Sequence, residues 1–533
     1  METRALILVC LVTLLFQPVL AEPPKRAMVL VFDQTRAEYI DRFDLPNFKR
    51  ARKMGINFSN AHVGHLEANT IISHPVITTG RHPKHLGWGA EAWRDDQALL
   101  GPKGQYFTPF YLTHQEWLGT LQRTCGESSL VAAVKSVNSG PSFAVAQKEY
   151  AAFTFGGPYV DTIVCLGAVA KTGPFKDHHT VGGSNVPDYI SKPLGNRFYL
   201  EGVNRWGSEV ERYGLKGSGY VTGTEPERPG GDAWVGDVVE RIMNREPEWS
   251  VILASFGATD KVSHVLAEHD EPTKAPWALK HGISLADTMK KADKELGRIL
   301  DRLEEKGLLD ETAIVITADH GGQRNSNFLG RMRPGKHRFD SYYGKAVNFD
   351  YTSDPHPVLR PFIETGKLKA ASMDTLFLFW TDPMTALERE GFERHFQAIP
   401  GVSEAYRKVR SEGSFHYERF YRSPKLQGKA LEWAAQHNQS LADSLACESG
   451  PEFLGTLFDN TGYGMIGAHG GAQELVQRIP MILVAPNLKE RSIDSEAWAR
   501  LVDVNPMVRA VMALPHHKGL DGSAAPIRPH LAP

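Results

Sequence analysis

Several separate segments of the sequence carry side chains that can bind a metal ion or attack a substrate. These residues are Asp33, Thr70, the Asp260-x-x-x-His264 pair, Asp319 with His320, and His469. Aspartate oxygen and histidine nitrogen are ordinary zinc ligands, and a two-zinc hydrolytic site needs several of them, with a nucleophile between the ions. Any one of these residues alone is more often a helix cap or a hydrogen-bonded structural group. Their ordered combination is much rarer by chance and indicates a two-metal site.

Runs of apolar residues lie beside most of these candidate ligands and predict the strands that position them. Three of these runs come before a candidate ligand: residues 27–32 before Asp33, 250–256 before Asp260, and 313–318 before Asp319. The fourth run, residues 480–485, comes after His469. Continuous apolar runs are typical of strands buried on both faces. Amphipathic helices opened by Asp232 and Ser284 separate them. The alternation predicts an α/β fold with a mostly parallel central sheet flanked by helices, whose ligands gather outside the carboxyl ends of the strands.

Two stretches interrupt this alternation. Residues 97–228 are rich in glycine, proline and aromatic residues, and we expect long surface excursions with some helix. A second stretch begins with the basic residues Arg331, Arg333, Lys336, His337 and Arg338. It then continues as a strand (375–380), a helix (383–397) and a strand (403–409). We therefore predict an inserted α/β cap subdomain over residues 331–450 and a core formed by residues 22–330 and 451–533.

The composition is that of a globular protein and excludes a disordered or coiled-coil chain: of 533 residues, 41% are hydrophobic and 23% charged. Sixty basic and 62 acidic residues leave a net charge of -2, so no overall charge attracts nucleic acid or an anionic membrane. We expect neither partner. Apart from Cys10, which lies in the first 21 residues, the cysteines are Cys125, Cys165 and Cys447. These three allow at most one internal disulfide, and their spacing does not favour a cysteine-ligated zinc site.

The first 21 residues have the pattern of a signal peptide. A short charged start precedes an apolar run over residues 5–16, and small residues lead up to a cleavage point near Ala21. The alternative is a membrane anchor, but the run is shorter than the ~20 apolar residues that a span needs. No later stretch is apolar enough to span a bilayer. We therefore expect an exported protein, periplasmic or secreted, with no span in the mature chain.

The ordered set of motifs resembles the alkaline phosphatase superfamily, and most of all its nucleotide pyrophosphatase/phosphodiesterase branch. The resemblance covers residues from about 27 to 330 and from about 455 to 490. It implies an alkaline-phosphatase-like core and two zinc ions. The ligands of the first zinc would be Asp260, His264 and His469. The ligands of the second would be Asp33, Asp319, His320 and Thr70, with Thr70 as the catalytic nucleophile.

The surroundings of Thr70 separate this branch from its relatives. The sulfatase motif Cys/Ser-x-Pro-x-Arg does not occur near Thr70, which argues against a formylglycine sulfatase. A threonine hydroxyl is a weak nucleophile at neutral pH, but a bound zinc ion can stabilise its alkoxide, so no histidine base is required. We expect a helix to begin near Ser73, with Pro75 in its first turn and its N–H groups favouring an anionic phosphate. The alternative for Thr70 is a local cap or turn.

One feature departs from the diesterase pattern. That branch usually has an asparagine shortly after the Thr-Gly-x-x-Pro segment, but residues 85–91 contain none. Glu91 beside a phosphate would repel it, so either Glu91 points away or the substrate is held differently. The basic residues at 331–338 either supply the missing charge or form a solvated face. Three aromatic residues, Trp88, Trp93 and Tyr106, either stack on a nucleobase or belong to the core or its rim.

The first hypothesis is therefore an exported two-zinc phosphohydrolase that cleaves phosphodiester or pyrophosphate bonds through a phospho-threonine intermediate. Its substrates would be small phosphate esters, nucleotides among them. The alternatives are a phosphomonoesterase or a phosphonoacetate-type phosphonate hydrolase of the same superfamily. A non-catalytic binding protein with this fold is a further alternative, but it predicts damaged ligands, and none is missing. The sequence identifies neither the substrate-binding residues nor the oligomeric state.

Overall fold

Two β-sheets, one of eleven strands and one of five, form the framework of the structure. The computed structural model describes residues 22–91, 93–107, 112–169, 178–194, 198–202, 220–221, 231–266, 284–328, 356–373, 375–463 and 467–532. The predicted signal peptide at 1–21 and the basic residues at 331–338 lie outside these ranges.

The larger sheet is parallel at its centre. In spatial order its strands are Tyr220–Val221, Phe198–Gly202, His178–Ser184, Thr162–Val169, Ser142–Ala146, Val251–Phe256, Arg26–Phe32, Thr312–Thr317, Met481–Val484, Ile56–Phe58 and Ile493–Ser495. The five consecutive strands from Thr162–Val169 to Thr312–Thr317 are parallel. This is the predicted α/β fold with a mostly parallel central sheet.

The central strand Arg26–Phe32 is buried on both faces, as its apolar run predicts. Ala27, Val29 and Val31 contribute to one hydrophobic core, and Met28, Leu30 and Phe32 to the other. The first core includes residues of the helices Thr70–Thr79, His114–Thr124, Leu130–Lys135, Glu149–Gly156 and Val504–Val511. The second includes residues of Pro46–Met54, Gly231–Arg245 and Leu285–Glu305. Ser284 caps the last of these helices by accepting the N–H of Asp287, as predicted.

Two features of this sheet differ from the sequence-based expectation. The stretch expected to form surface excursions supplies two strands of this sheet, Ser142–Ala146 and Thr162–Val169. The first is buried, as are residues 162–165 of the second. Glycine and proline lie shortly before each of these strands and obscure their apolar pattern. In addition, Met481–Val484 runs antiparallel to both of its neighbours. Residues that precede this strand therefore lie at the same edge as residues that follow the parallel strands.

The second sheet is antiparallel, and four of its five strands lie within residues 331–450. Its strands in spatial order are Leu368–Met373, Leu376–Thr381, Phe453–Leu457, Val402–Ser411 and Ser414–Arg422. The predicted strand, helix and strand at 375–409 are all present, with the helix at Ala386–Gln397 packed on the sheet through Phe392 and Phe396. The Gly428–Asp443 helix contributes Leu441 and Ala442 to the first core of the large sheet. One strand, Phe453–Leu457, lies beyond residue 450, where the predicted insertion ends.

The remaining described elements are short. The helices are Tyr39–Arg42, Asp188–Leu194, Ala258–Leu266, Arg360–Glu364 and Glu474–Gln477, with 3-10 turns at Pro83–His85, Gly126–Ser128, Leu309–Glu311, His356–Leu359, Leu501–Asp503 and Arg528–His530. The strands are Ala61–His62, Trp93–Asp95, Gln105–Phe107, Gln323–Arg324, Asn327–Phe328, Thr461–Gly462, Gly467–Ala468 and Ala499–Arg500. Cys125, Cys165 and Cys447 are free thiols. Over the described ranges, every helix is too short or too polar to cross a bilayer.

Candidate active site

All seven predicted site residues lie at one edge of the large sheet. Asp33 follows Arg26–Phe32, and Asp319 with His320 follows Thr312–Thr317. Asp260 and His264 lie on one face of the Ala258–Leu266 helix, which comes directly after Val251–Phe256. His469 precedes the antiparallel strand Met481–Val484, which is why it reaches this edge from the other chain direction. The topology therefore gathers residues that are far apart in sequence.

Asp260, His264 and His469 form the first cluster. The Nε2 atom of His264 lies 3.0 Å from Asp260 Oδ1, and the Nε2 atom of His469 lies 3.4 Å from the same oxygen. The two Nε2 atoms are 3.2 Å apart. Three potential ligand atoms from a helix and a distant loop thus point to one place.

The hydrogen bonds of these histidines fix which ring nitrogen carries the proton. His264 Nδ1 lies 2.8 Å from the Gly467 carbonyl oxygen, and His469 Nδ1 lies 3.1 Å from that of Ala68. A carbonyl oxygen only accepts, so each Nδ1 donates, and the Nε2 of the corresponding neutral tautomer carries no proton. Burial lowers the pKa of His469 to about 4, which keeps this ring neutral at neutral pH. Three acceptor atoms then face one another, an arrangement that a bound cation would satisfy.

The second cluster consists of Asp33, Asp319 and His320, and it too brings hydrogen-bond acceptor atoms together. His320 Nδ1 lies 2.9 Å from the Gly321 carbonyl oxygen, so its Nε2 is again an acceptor. That Nε2 lies 3.5 Å from Asp33 Oδ1 and 3.6 Å from Asp319 Oδ2. All three side chains are fully buried, and these three atoms have no hydrogen-bond partner among the described residues. The donor set fits a divalent cation with oxygen and imidazole ligands.

Thr70 is the first residue of the Thr70–Thr79 helix, and its Oγ1 lies 3.4 Å from Asp33 Oδ2. The expected helix start near Ser73 is wrong, because Asn69 caps the helix earlier by accepting the N–H of Ile72 at 3.3 Å. The Thr70 hydroxyl therefore stands at the positive end of a helix dipole. Thr70 is not the capping residue, so the structure contradicts the alternative that it is merely a cap.

Pro75 was expected in the first turn of this helix, but it lies in the helix interior. Its missing N–H leaves the carbonyl of Ile71 without its usual partner in the helix. The indole Nε1 of Trp88 donates to that carbonyl at 3.5 Å. The proline is thus accommodated one turn from the nucleophile by an aromatic residue of the neighbouring loop.

Lys148 is a site residue that sequence reasoning missed. Its Nζ lies 2.5 Å from Asp33 Oδ2, 2.7 Å from Asp260 Oδ2 and 3.1 Å from Thr70 Oγ1. Lys148 follows the strand Ser142–Ala146, so it repeats the pattern of an apolar run followed by a charged residue. Recognising SFAVA as a buried strand would have placed Lys148 at the same edge as Asp33.

The charges of the site do not balance within the chain. Burial, and then repulsion from Asp319, raise the pKa of Asp33 well above its usual value. Burial opposes the ionisation of Asp260, but the ammonium of Lys148 and the contacts with His264 and His469 together outweigh it and hold the pKa of Asp260 well below its usual value. Burial also disfavours the charged form of Lys148, but Asp260 and Asp33 outweigh it and raise the pKa of Lys148 well above the usual range. One ammonium thus faces three buried carboxyl groups, and bound divalent cations would favour the ionised form of Asp33.

The aromatic residues considered for base stacking belong to the core. Trp88 and Trp93 are 1% exposed and Tyr106 is 9% exposed, and all three contribute to the first hydrophobic core. Their burial favours the core interpretation of the aromatic residues over stacking on a substrate.

The backbone N–H of Glu91 donates to the Glu67 carboxylate at 3.3 Å.

Comparison with known proteins agrees with this geometry. A family model described as type I phosphodiesterase/nucleotide pyrophosphatase matches residues 27–346. A search of curated protein sequences finds no match. Among solved structures, wild-type alkaline phosphatase PafA is similar over 96% of this chain and 99% of its own, with 13% identity and a TM-score of 0.61. An inactive murine ectonucleotide pyrophosphatase/phosphodiesterase 5 in complex with AMP is similar over 95% and 100%, with 12% identity and a TM-score of 0.53. The human form of that protein has 13% identity, the same coverage and a TM-score of 0.52.

Proposed function

The chain belongs to the type I phosphodiesterase/nucleotide pyrophosphatase family and hydrolyses phosphoric esters, and we propose that it does so with two zinc ions and a phospho-threonine intermediate on Thr70. In this proposal, Asp260, His264 and His469 hold one ion. The other ion is held by Asp33, Asp319, His320 and Thr70. Phosphodiester and pyrophosphate bonds are the preferred targets.

The convergence of acceptor atoms is the observation that carries this proposal. Each of the three histidines donates Nδ1–H to a backbone carbonyl and turns Nε2 towards a carboxylate. A structural histidine would ordinarily find a donor or acceptor of matching type for both nitrogens. Zinc commonly binds a mixture of aspartate and imidazole ligands, whereas magnesium and calcium take oxygen ligands. The mixed donor set therefore favours zinc.

The chain's own residues then account for the order of events. Thr70 Oγ1 forms a bond to phosphorus while the bond to the leaving oxygen breaks. The proton of the hydroxyl passes through water to the leaving group, which departs as an alcohol or a phosphate. Water next attacks phosphorus, the bond to Thr70 Oγ1 breaks, and Thr70 is regenerated with release of the phosphate product. The helix that begins at Thr70 directs its positive end at the phosphoryl group throughout. When bound, zinc would supply Lewis-acid stabilisation of the attacking and leaving oxygens.

Lys148 favours a second candidate, a phosphomonoesterase. A monoester carries one more negative charge than a diester, and the Lys148 ammonium lies 3.1 Å from the nucleophilic oxygen. A cation at this position attracts the more highly charged substrate more strongly. The related ectonucleotide pyrophosphatase in complex with AMP supports a nucleotide as the substrate in either case.

A metal and substrate assay tests the proposal. Purified protein should contain about two zinc ions per chain, and hydrolysis should stop with a chelator and return with zinc. Bis-p-nitrophenyl phosphate, p-nitrophenyl phosphate and a nucleoside-monophosphate p-nitrophenyl ester together rank diesters against monoesters. Metal-free protein that hydrolyses these esters at the full rate would refute the two-zinc proposal.

We also propose that the protein is exported after cleavage near Ala21, since residues 1–21 have the composition of a signal peptide. The alternative remains a membrane anchor at the same residues. The N-terminal residue of the protein recovered outside the cytoplasm distinguishes the two.

A further inference from the structure

Gln34 lies directly after the ligand Asp33 and has an unusual backbone conformation. The Arg26–Phe32 strand makes its last sheet hydrogen bond through the N–H of Asp33 to the Phe256 carbonyl, at 2.9 Å. Gln34 then turns the chain with φ of 55°, in the left-handed region. This region is unfavourable for residues with a side chain, and asparagine, aspartate and glycine tolerate it better than glutamine. Such a conformation persists where the surroundings enforce it, and it is concentrated at functional sites.

The backbone of Gln34 contacts the second ligand cluster. Its N–H donates to Asp319 Oδ1 at 3.2 Å, and the N–H of His320 donates to the same oxygen at 2.9 Å. These two donors leave Asp319 Oδ2 turned towards His320 Nε2. The left-handed turn thus fixes the orientation of one carboxylate in the second cluster.

The side chain of Gln34 contacts the first cluster. Its carboxamide matches its surroundings in one orientation, with the amide nitrogen towards Asp260. In that orientation the nitrogen donates to Asp260 Oδ1 at 2.8 Å and lies 3.3 Å from the Asp260 carbonyl oxygen. Asp260 Oδ1 is the oxygen that faces His264 and His469. Gln34 is fully buried, so water does not compete for these bonds.

We propose that Gln34 is a positioning residue that links the two metal sites, with its backbone N–H orienting Asp319 and its side-chain amide orienting Asp260. The left-handed backbone is what lets one residue reach both carboxylates. This inference rests on the proposed two-zinc function. Residues that orient metal ligands typically contribute about 10- to 100-fold to metal affinity.

Two substitutions separate positioning from a merely structural role. Gln34→Gly removes the amide and relieves the left-handed backbone, whereas Gln34→Met removes the amide but keeps the bulk and the backbone strain. Ala513→Gly is the matched control, because Ala513 is exposed and also has a positive φ, of 54°. Zinc affinity is measured by competition with a chromophoric chelator, and the Tm of metal-free protein is measured in parallel.

Both Gln34 variants should bind the more affected zinc ion about 10- to 100-fold more weakly than the wild type. The metal-free Tm of Gln34→Gly should stay within a few degrees of the wild-type value or rise above it, and Ala513→Gly should leave zinc affinity unchanged. Zinc affinities within threefold of wild type in both variants would overturn the inference. Weaker zinc binding in only one of the two variants would also overturn the inference. The cause would then be the backbone freedom or the side-chain bulk of that variant and not the loss of the amide. A wild-type protein that binds no zinc would instead refute the proposed function itself.

Discussion

Replacing Lys148 with methionine should change the preference between monoesters and diesters. The Nζ atom of Lys148 lies 3.1 Å from Thr70 Oγ1, so the oxygens of a phosphoryl group on Thr70 come within a few ångströms of it. For one extra unit charge at about 4 Å, Coulomb's law gives ~1 kcal/mol in water and ~4 kcal/mol at an effective dielectric constant of about 20. At ~1.4 kcal/mol for each factor of ten, the ratio of monoester to diester kcat/KM should fall roughly 5- to 1000-fold.

The assay compares kcat/KM for p-nitrophenyl phosphate and bis-p-nitrophenyl phosphate in wild-type and Lys148→Met protein, with zinc content measured in both. Lys103→Met is the matched control, because Lys103 also pairs with a carboxylate, at 2.8 Å from Glu448, but is exposed. The Lys103 variant should keep the wild-type ratio. A Lys148→Met protein with full zinc content and an unchanged ratio would refute the argument from charge.

Three further predictions concern other parts of the molecule. His469→Ala should lose about one zinc ion and nearly all turnover while the circular dichroism spectrum stays native; full metal content with loss of folding would make His469 a structural residue. Burial, then Arg478 and His437, lower the pKa of His62 from 6.5 to about 3, so below pH 6.5 the unfolded chain binds a proton that the folded chain lacks. Stability should therefore fall by ~1.4 kcal/mol per pH unit from this group as the pH drops towards 3. In His62→Phe protein the denaturant midpoint should therefore depend less on pH than in the wild type. An equal pH dependence of the midpoint in the two proteins would contradict this. The mature exported chain should begin at or near Glu22 by N-terminal sequencing, and an intact N-terminus would restore the anchor.

Continuous apolar runs in the sequence predicted the strands on which the candidate ligands depend. The strands that precede Asp33, Asp260 and Asp319 follow this rule, and their common edge made the clustering of the candidate ligands predictable. His469 needed a different argument, since it precedes its strand. Only the antiparallel pairing of Met481–Val484 with Thr312–Thr317 explains its position, and pairing direction is not encoded in an apolar run.

Lys148 and Gln34 were not predictable in the same way. The strand before Lys148 is the short segment Ser142–Ala146, which glycine and proline precede and polar residues follow. Gln34 follows Asp33 in the sequence, but its role depends on a backbone angle and on a carboxylate of a distant helix. The helix of Thr70 was expected to begin near Ser73 with Pro75 in its first turn, but Asn69 caps it earlier and Pro75 lies inside it.

Detection of phosphate on Thr70 tests the central claim most directly. Wild-type protein mixed with substrate and rapidly quenched in acid should contain a phosphorylated peptide that includes Thr70, identified by mass spectrometry. Thr70→Ala should retain zinc, lack that species and lose several orders of magnitude in turnover, whereas Thr70→Ser should keep measurable activity. Folded, zinc-loaded Thr70→Ala protein with wild-type turnover would contradict the phospho-threonine mechanism.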